Sequence, residues 1–314
     1  MDKKYPLSES MTDFVNQSLS FFPASVVEQG IDAQRHAYNA MTAHFSGPRP
    51  INLHVIDHVL AGVKVRSYQS QEQEFESTIT QLQVFFAHGG GWYLGDLDSH
   101  DSFCANLAND CGVKVTAIDY SLAPKSPYPT GLDDIESVYK ALVGQSAVPV
   151  VLMGDSAGAN LMAALSLRCR RKALPVAYAQ CFIYPALSEI GSLPSHRAMS
   201  DAPLLDTNSL DFCWEQYVPQ ASFVSNNEEL IPLNATTHNS LPPTMLFAAE
   251  YDPLIDDARY YQQALLDANV PAELSVIEGL VHGGLHGFKS TVEGKQLYSE
   301  ICDYVEVLTK KIEQ

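Results

Sequence analysis

The 314-residue chain is 46% hydrophobic and carries a formal net charge of −18, with only 19 lysines and arginines. That length fits a single α/β domain with a full core. The acidic balance leaves no footprint for neutralising phosphates, which excludes nucleic acid and anionic membrane surfaces as expected partners; the charge itself reads as solubility.

Six cysteines, Cys104, Cys111, Cys169, Cys181, Cys213 and Cys302, are scattered without a Cys-x-x-Cys pair and read as reduced thiols in apolar patterns. The first residues show no apolar h-region, and no apolar run approaches the roughly 18 residues of a membrane span. A cytoplasmic protein is expected.

In chain order, the first 45 residues carry Phe14, Phe21 and Phe22, then a helical pattern over about 27–45, with no strand signal. They are either a helical extension packed on the core or a cap whose aromatics line an apolar pocket. Alternating residues over 51–60 and 63–68, joined at Ala61-Gly62, predict a β-hairpin. Residues 70–79 are polar and read as a loop. Strand-like residues 82–87 end in His88-Gly89-Gly90-Gly91-Trp92. A helix is expected over about 99–111, a buried strand over 113–118, and a helix over about 132–142.

The next apolar run, 150–153, stops at Gly154-Asp155-Ser156-Ala157-Gly158 and passes into a helix-forming stretch. Gly-x-Ser-x-Gly between strand and helix is the context of a nucleophile elbow. The sharp turn strains the serine backbone, and small flanking residues let strand and helix approach. Beyond it come a strand over 179–183, an irregular stretch over 186–240 with one helical piece near 208–217, a strand over 244–248, a helix over 255–268, a strand over 273–277 and a final helix over about 291–312. The irregular stretch is too long for an ordinary connection and reads as a second cap segment or a lid. After the hairpin, strands and helices alternate, which predicts an α/β fold: a mostly parallel eight-stranded sheet flanked by helices, with its chemistry beyond the strands' carboxyl ends.

A serine hydroxyl needs a base, an acid to orient that base, and donors for the oxyanion. Two later strand ends offer the first two. After 244–248 comes Asp252-Pro253, with Glu250 as rival; Asp256 and Asp257 suit the first turn of the next helix, where carboxylates favour the dipole. After 273–277 the loop holds His282 and His286, and His282 is preferred, His286 being a structural donor or an entrance residue. Three glycines after His88 let amides converge, so Gly89, Gly90 and Ala157 N–H are the expected oxyanion donors; losing one such donor costs roughly 3–4 kcal/mol of transition-state stabilisation. No phosphate-loop or dinucleotide fingerprint accompanies these glycines.

Taken together, His88-Gly89-Gly90-Gly91-Trp92, Gly154-Asp155-Ser156-Ala157-Gly158, Asp252-Pro253-Leu254 and Gly279-Leu280-Val281-His282-Gly283 resemble the hormone-sensitive-lipase-like branch of the α/β-hydrolases, bacterial carboxylesterases above all. The resemblance spans about residues 50–290. It implies Ser156 as nucleophile, His282 as general base and acid, and Asp252 as the orienting carboxylate. It also implies cap helices within 1–45, a catalytic domain over 46–314 and a second cap segment within 186–240. Three positions depart from the family pattern: Ser121 and Lys125 stand where Arg and Glu are usual, and Gly284 stands where a larger residue is usual. The implied activity is hydrolysis of short- to medium-chain carboxylic esters through an acyl-enzyme, with a small-molecule ester as partner and no cofactor or metal. A homodimer is allowed. Hydrolysis of a related amide, lactone or carbamate, or ligand binding without turnover, are the alternatives.

Overall fold

The apolar runs become strands of one sheet because both their faces find cover. The computed structural model describes residues 4–70, 82–145, 147–218 and 226–313. Its strands are β1 (Leu53–Leu60), β2 (Val63–Ser70), β3 (Gln83–Ala87), β4 (Lys114–Ile118), β5 (Val150–Asp155), β6 (Ala179–Ile183), β7 (Thr244–Tyr251) and β8 (Ala272–Val281). They lie in the order β1-β2-β4-β3-β5-β6-β7-β8. The β1–β2 and β2–β4 pairs are antiparallel and the others parallel. Every residue of β3, β5 and β6 is buried, as expected where helices cover both faces of a parallel sheet. The edge strand β1 is instead mostly exposed. Ala61 and Gly62 both have positive φ, 51° and 88°, which suits a two-residue hairpin turn.

The helices are α1 (Glu9–Ser20), α2 (Ala24–Glu28), α3 (Ile31–Phe45), α4 (Asp101–Asp110), α5 (Thr130–Gln145), α6 (Ala157–Arg171), α7 (Pro194–Ala198), α8 (Thr207–Tyr217), α9 (Ile255–Asp267) and α10 (Val292–Ile312). Strand order reverses around β3, with β4 on one side and β5 on the other, and the crevice at their carboxyl ends is where such sheets bind ligands. Pairing of Ala87 with Gly154 sets His88 beside the β5 terminus.

Several expected boundaries move. The helix predicted over 27–45 is two helices, because Gly30 (φ 94°) leaves the helical region between α2 and α3. Ahead of them α1 forms separately, capped by Ser8 Oγ accepting the Met11 amide at 3.1 Å. β7 runs three residues and β8 four residues beyond their predicted ends. A register shift at Ala249/Tyr251 lets them continue pairing, and the Gly279 amide donates to Glu250 Oε2 at 2.7 Å across it. The loop expected over 70–79 lies, apart from Ser70 at the end of β2, outside the described residues.

Within 186–240 the structure adds the short α7 and a 3-10 turn, Pro232–Asn234, to the expected α8; residues 219–225 lie outside the described residues. Asn160 on α6 pins two points of this segment, donating from Nδ2 to Ala186 O at 2.8 Å and to Leu230 O at 3.0 Å. Cys104, Cys169 and Cys181 are buried, while Cys111, Cys213 and Cys302 are half-buried, and all six are free thiols. Among the described residues, no helix is long and apolar enough to cross a membrane.

Candidate active site

β5 ends at Asp155 and α6 starts at Ala157, so Ser156 alone makes the corner. Its φ of 52° is a strained conformation for a non-glycine residue, costing of order 1–3 kcal/mol. Neighbouring backbone holds it: the Ser156 amide donates to Ile183 O at 2.9 Å, and its carbonyl accepts from the Asn160 amide at 3.1 Å. A Cβ on Gly154 would lie 2.8 Å from Ala87 O, and one on Gly158 would overlap the Ala87 carbonyl. Both glycines are required by the close approach of α6 to the ends of β3 and β5.

β7 and β8 deliver the other two residues. Tyr251 pairs with Val281, so Asp252 and His282 each follow directly from adjacent strand ends. Asp252 is fully buried. Its Oδ1 accepts the Leu254 amide at 2.8 Å, and its Oδ2 lies 2.7 Å from His282 Nδ1. A carboxylate only accepts, so Nδ1 carries the proton and Nε2 is left as an acceptor. That nitrogen lies 2.9 Å from Ser156 Oγ. The Tyr184 ring packs 4.7 Å from the His282 ring and helps hold it.

The rivals are occupied elsewhere. Glu250 lies in β7 on the Gly279 amide. Asp256 and Asp257 do sit in the first turn of α9, where they accept from the Ser195 amide and from the Leu187 and Ser188 amides. His286 Nε2 meets Tyr38 Oη at 3.1 Å instead of reaching the triad line. Gly284 also has a reason: its Cβ would lie 2.5 Å from Leu280 Cδ1, and the bulky role passes to buried Phe288, packed on Tyr298.

One expected oxyanion donor is corrected. The Gly89 amide is engaged, donating to Asp155 Oδ1 at 2.7 Å. Gly90, Gly91 and Ala157 line the cavity beside Ser156, and their amides have no acceptor among the described residues. Among the described residues the amides left open beside Ser156 are therefore those of Gly90, Gly91 and Ala157, and not that of Gly89. Gly91 must be glycine, since its φ is 57° and a Cβ would strike Cys213. His88 supports the loop from behind. Its ring stacks on Tyr120 at 4.4 Å, its Nδ1 donates to Gly89 O at 2.8 Å, and its carbonyl accepts from Tyr120 Oη. Burial first, and His100 second, push it down to about 4, so it is neutral.

Ser156 opens into a cavity of about 500 Å³. Phe14, Phe22, Tyr38 and Met41 come from the N-terminal helices and their junction; Leu205, Leu210, Phe212 and Cys213 come from the 186–240 segment. Trp92 and Tyr93 complete a mostly apolar wall. Among the described residues, no group of three or more His, Cys, Asp or Glu is arranged to hold a metal ion.

The family described as alpha/beta hydrolase fold matches residues 84–286. The chain belongs to this family. Its relatives agree with the resemblance carried by the motifs. The chain is similar to carboxylesterase NlhH of Mycobacterium tuberculosis, 36% identical over 211 residues, 64% of this chain and 65% of that one. The matched stretch thus spans just under two thirds of NlhH. Carboxylic ester hydrolase LipN of the same species is 31% identical over 84% of this chain and 72% of its own. An ethyl acetate hydrolase of Pseudomonas putida is 32% identical over 69% of this chain and 70% of its own. Among solved structures, ester-hydrolase EH1AB1 from the Lake Arreo metagenome superposes with a TM-score of 0.87 over 98% of this chain and all of its own, at 24% identity, a likeness of fold.

Sequence reasoning about this chain missed several residues that shape the site. Arg35 on α3 donates from Nε to Tyr93 O at 2.8 Å and from Nη2 to Ala123 O at 2.9 Å, bracing the stretch where Ser121 and Lys125 replace the usual charges. Tyr38, Tyr184 and His100 carry no local motif; only the folded chain brings them near Ser156. Gly91 was visible as the third glycine, but counting hydrogen bonds, not reading residues, separates it from Gly89.

Proposed function

We propose that the chain is a serine carboxylesterase acting on short- to medium-chain carboxylic esters. The observation that carries this reading is the unbroken line from Asp252 through His282 to Ser156 Oγ, ending beside three amides that have no acceptor among the described residues. Ser156 Oγ attacks the ester carbonyl carbon while His282 Nε2 takes its proton. The Gly90, Gly91 and Ala157 amides hold the oxygen that becomes negative. The tetrahedral adduct collapses, the C–O bond to the alcohol breaks, and His282 returns the proton to the departing alkoxide. Water then attacks the acyl-serine with His282 as base, and the acid leaves. Asp252 keeps the imidazole in the tautomer that makes Nε2 the base.

The mostly apolar cavity disfavours anionic substrates, since its described lining has no lysine or arginine. Relatives named as ester hydrolases, one of them for ethyl acetate, support the substrate class. The N-terminal helices and the 186–240 segment act as the cap over the site, and the six free thiols favour a reducing, cytoplasmic compartment. Hydrolysis of p-nitrophenyl esters of rising acyl length tests this. Ser156→Ala and His282→Ala are expected to abolish turnover while His286→Ala keeps it. Wild type inactive on every chain length, or His286→Ala as the dead variant, would overturn the assignment.

A further inference from the structure

The loop after β3 is built from glycines, which hold no conformation by themselves. Gly90 and Gly91 have φ of 110° and 57°. An oxyanion hole stabilises charge only when its donors are already aimed, so another group must fix this loop. Besides His88, which meets the Gly89 carbonyl, the side chain that engages a loop amide is Asp155, the last residue of β5, only 3% exposed.

Asp155 Oδ1 accepts the Gly89 amide at 2.7 Å, and its carboxylate lies so close to Gly89 that a Cβ there would collide with it. His100, which precedes α4, brings Nε2 to 3.2 Å from the same oxygen, an electrostatic contact, while its Nδ1 meets Ser99 Oγ at 2.9 Å. The His100 ring lies 4.7 Å from the His286 ring, and His286 meets Tyr38 on α3. A buried line of polar groups therefore runs from α3 to the loop. Burial opposes ionisation of Asp155, but His100 outweighs it, with smaller help from His286 and the Gly89 amide, and the carboxyl is held down at about 2. An ionised acceptor binds an amide more tightly than a neutral one.

We propose that Asp155 is a positioning residue for the oxyanion loop: it holds Gly89 so that the next two amides face the reacting carbonyl oxygen, with His100 keeping it turned under the loop. This rests on the ester-hydrolase reading of the Ser156 site.

Asp155→Ala removes the acceptor, whereas Asp155→Asn keeps an acceptor oxygen. On p-nitrophenyl butyrate, Asp155→Ala is expected to lower kcat about 100-fold with KM within about threefold of wild type, as for the loss of an oxyanion donor. Affinity for a trifluoromethyl ketone, whose serine adduct carries the oxyanion, should fall in parallel. Asp155→Asn should recover about tenfold or more of the lost kcat, because the amide keeps a weaker partner. The proposal is overturned if folded Asp155→Ala keeps kcat within about threefold of wild type, if its loss falls on KM, or if Asp155→Asn is no better than Asp155→Ala. Should Asp155→Ala fail to fold, the Gly89 amide proton decides by NMR. It should resonate downfield in wild type and move upfield in Asp155→Asn; an unmoved resonance overturns the proposal. A wild type that hydrolyses no ester sinks the function proposed for the site instead, and the Gly89 resonance still tests the positioning role.

Discussion

Two buried aspartate–histidine pairs lie at opposite ends of the short stretch from Asp252 to Asp257, and they do different things. Asp252 meets His282 at 2.7 Å, and Asp257 meets His196 at 2.9 Å. Both aspartates are fully buried. The difference is what the second ring nitrogen finds. His282 turns Nε2 to the Ser156 hydroxyl at the cavity wall, where a proton can move. His196 turns Nδ1 to the Gly191 amide at 2.9 Å, a donor that never gives up its proton. Asp257 also takes the Leu187 and Ser188 amides. That pair is a latch fastening the segment after β6 onto α9. An Asp–His pair is thus no signature of catalysis; the group facing the free nitrogen decides.

The sharpest way to break this comparison is to remove each histidine in turn. His282→Ala should lower kcat by about 10⁴-fold or more, and because it leaves Asp252 buried without its partner it should also cost stability. His196→Ala should differ in kcat alone: unfolding free energy falls by about 3 kcal/mol, because Asp257 is left buried without its partner, while kcat of the folded protein changes little. Paired steady-state kinetics and urea unfolding read both. A His196→Ala variant that stays stable but loses kcat would erase the distinction.

Acid sharpens it from another side, by acting on buried histidines that lack a carboxylate hydrogen-bond partner. Burial and then His100 push His88 down to about 4 and His286 down to about 3, against an ordinary 6.5. Between those values the unfolded chain binds protons that the folded chain does not, so stability is fully present above about 6.5 and is lost as pH falls toward 4 and then 3. For His88 that loss amounts to about 3 kcal/mol. Asp155, held at about 2 against 3.8, adds a further loss in the lower window. Urea unfolding at a series of pH values should show the decline, and His88→Asn should reduce its slope; a flat stability between about pH 7 and 4.5 would contradict it.

The smallest expected effect concerns the brace from α3. Arg35→Ala removes two hydrogen bonds to the Tyr93 and Ala123 carbonyls, and the side chain is partly exposed. Stability should fall by about 1 kcal/mol, with a modest rise in KM where Tyr93 lines the cavity. An unchanged unfolding curve would reduce Arg35 to a surface residue.

Much of the site was legible because its chemistry is attached to strand ends. Ser156 announces itself through Gly154 and Gly158, whose absent side chains are needed within a few residues of the serine. Asp252 and His282 were legible as the residues where two apolar runs give way to polar ones. The registers that carry β7 and β8 onward to Tyr251 and Val281 were not, because a bulge and the Glu250–Gly279 bond depend on two strands meeting. Which loop amides stay open was not legible for a related reason: three glycines in a row look alike until one amide, that of Gly89, is engaged by Asp155. The break at Gly30 was readable as a glycine but not as a helix boundary, since glycine inside a helical pattern is often tolerated.

By itself the sequence determined the alternation of strands and helices, the elbow and the residue types able to form a triad, because those follow from local periodicity and from steric demands between near neighbours. Tertiary structure decided which histidine meets the serine, which glycine amides are left without an acceptor, and which helices wall the cavity. These are outcomes of distance between groups up to some 248 positions apart, as with Tyr38 and His286, and no local pattern encodes them.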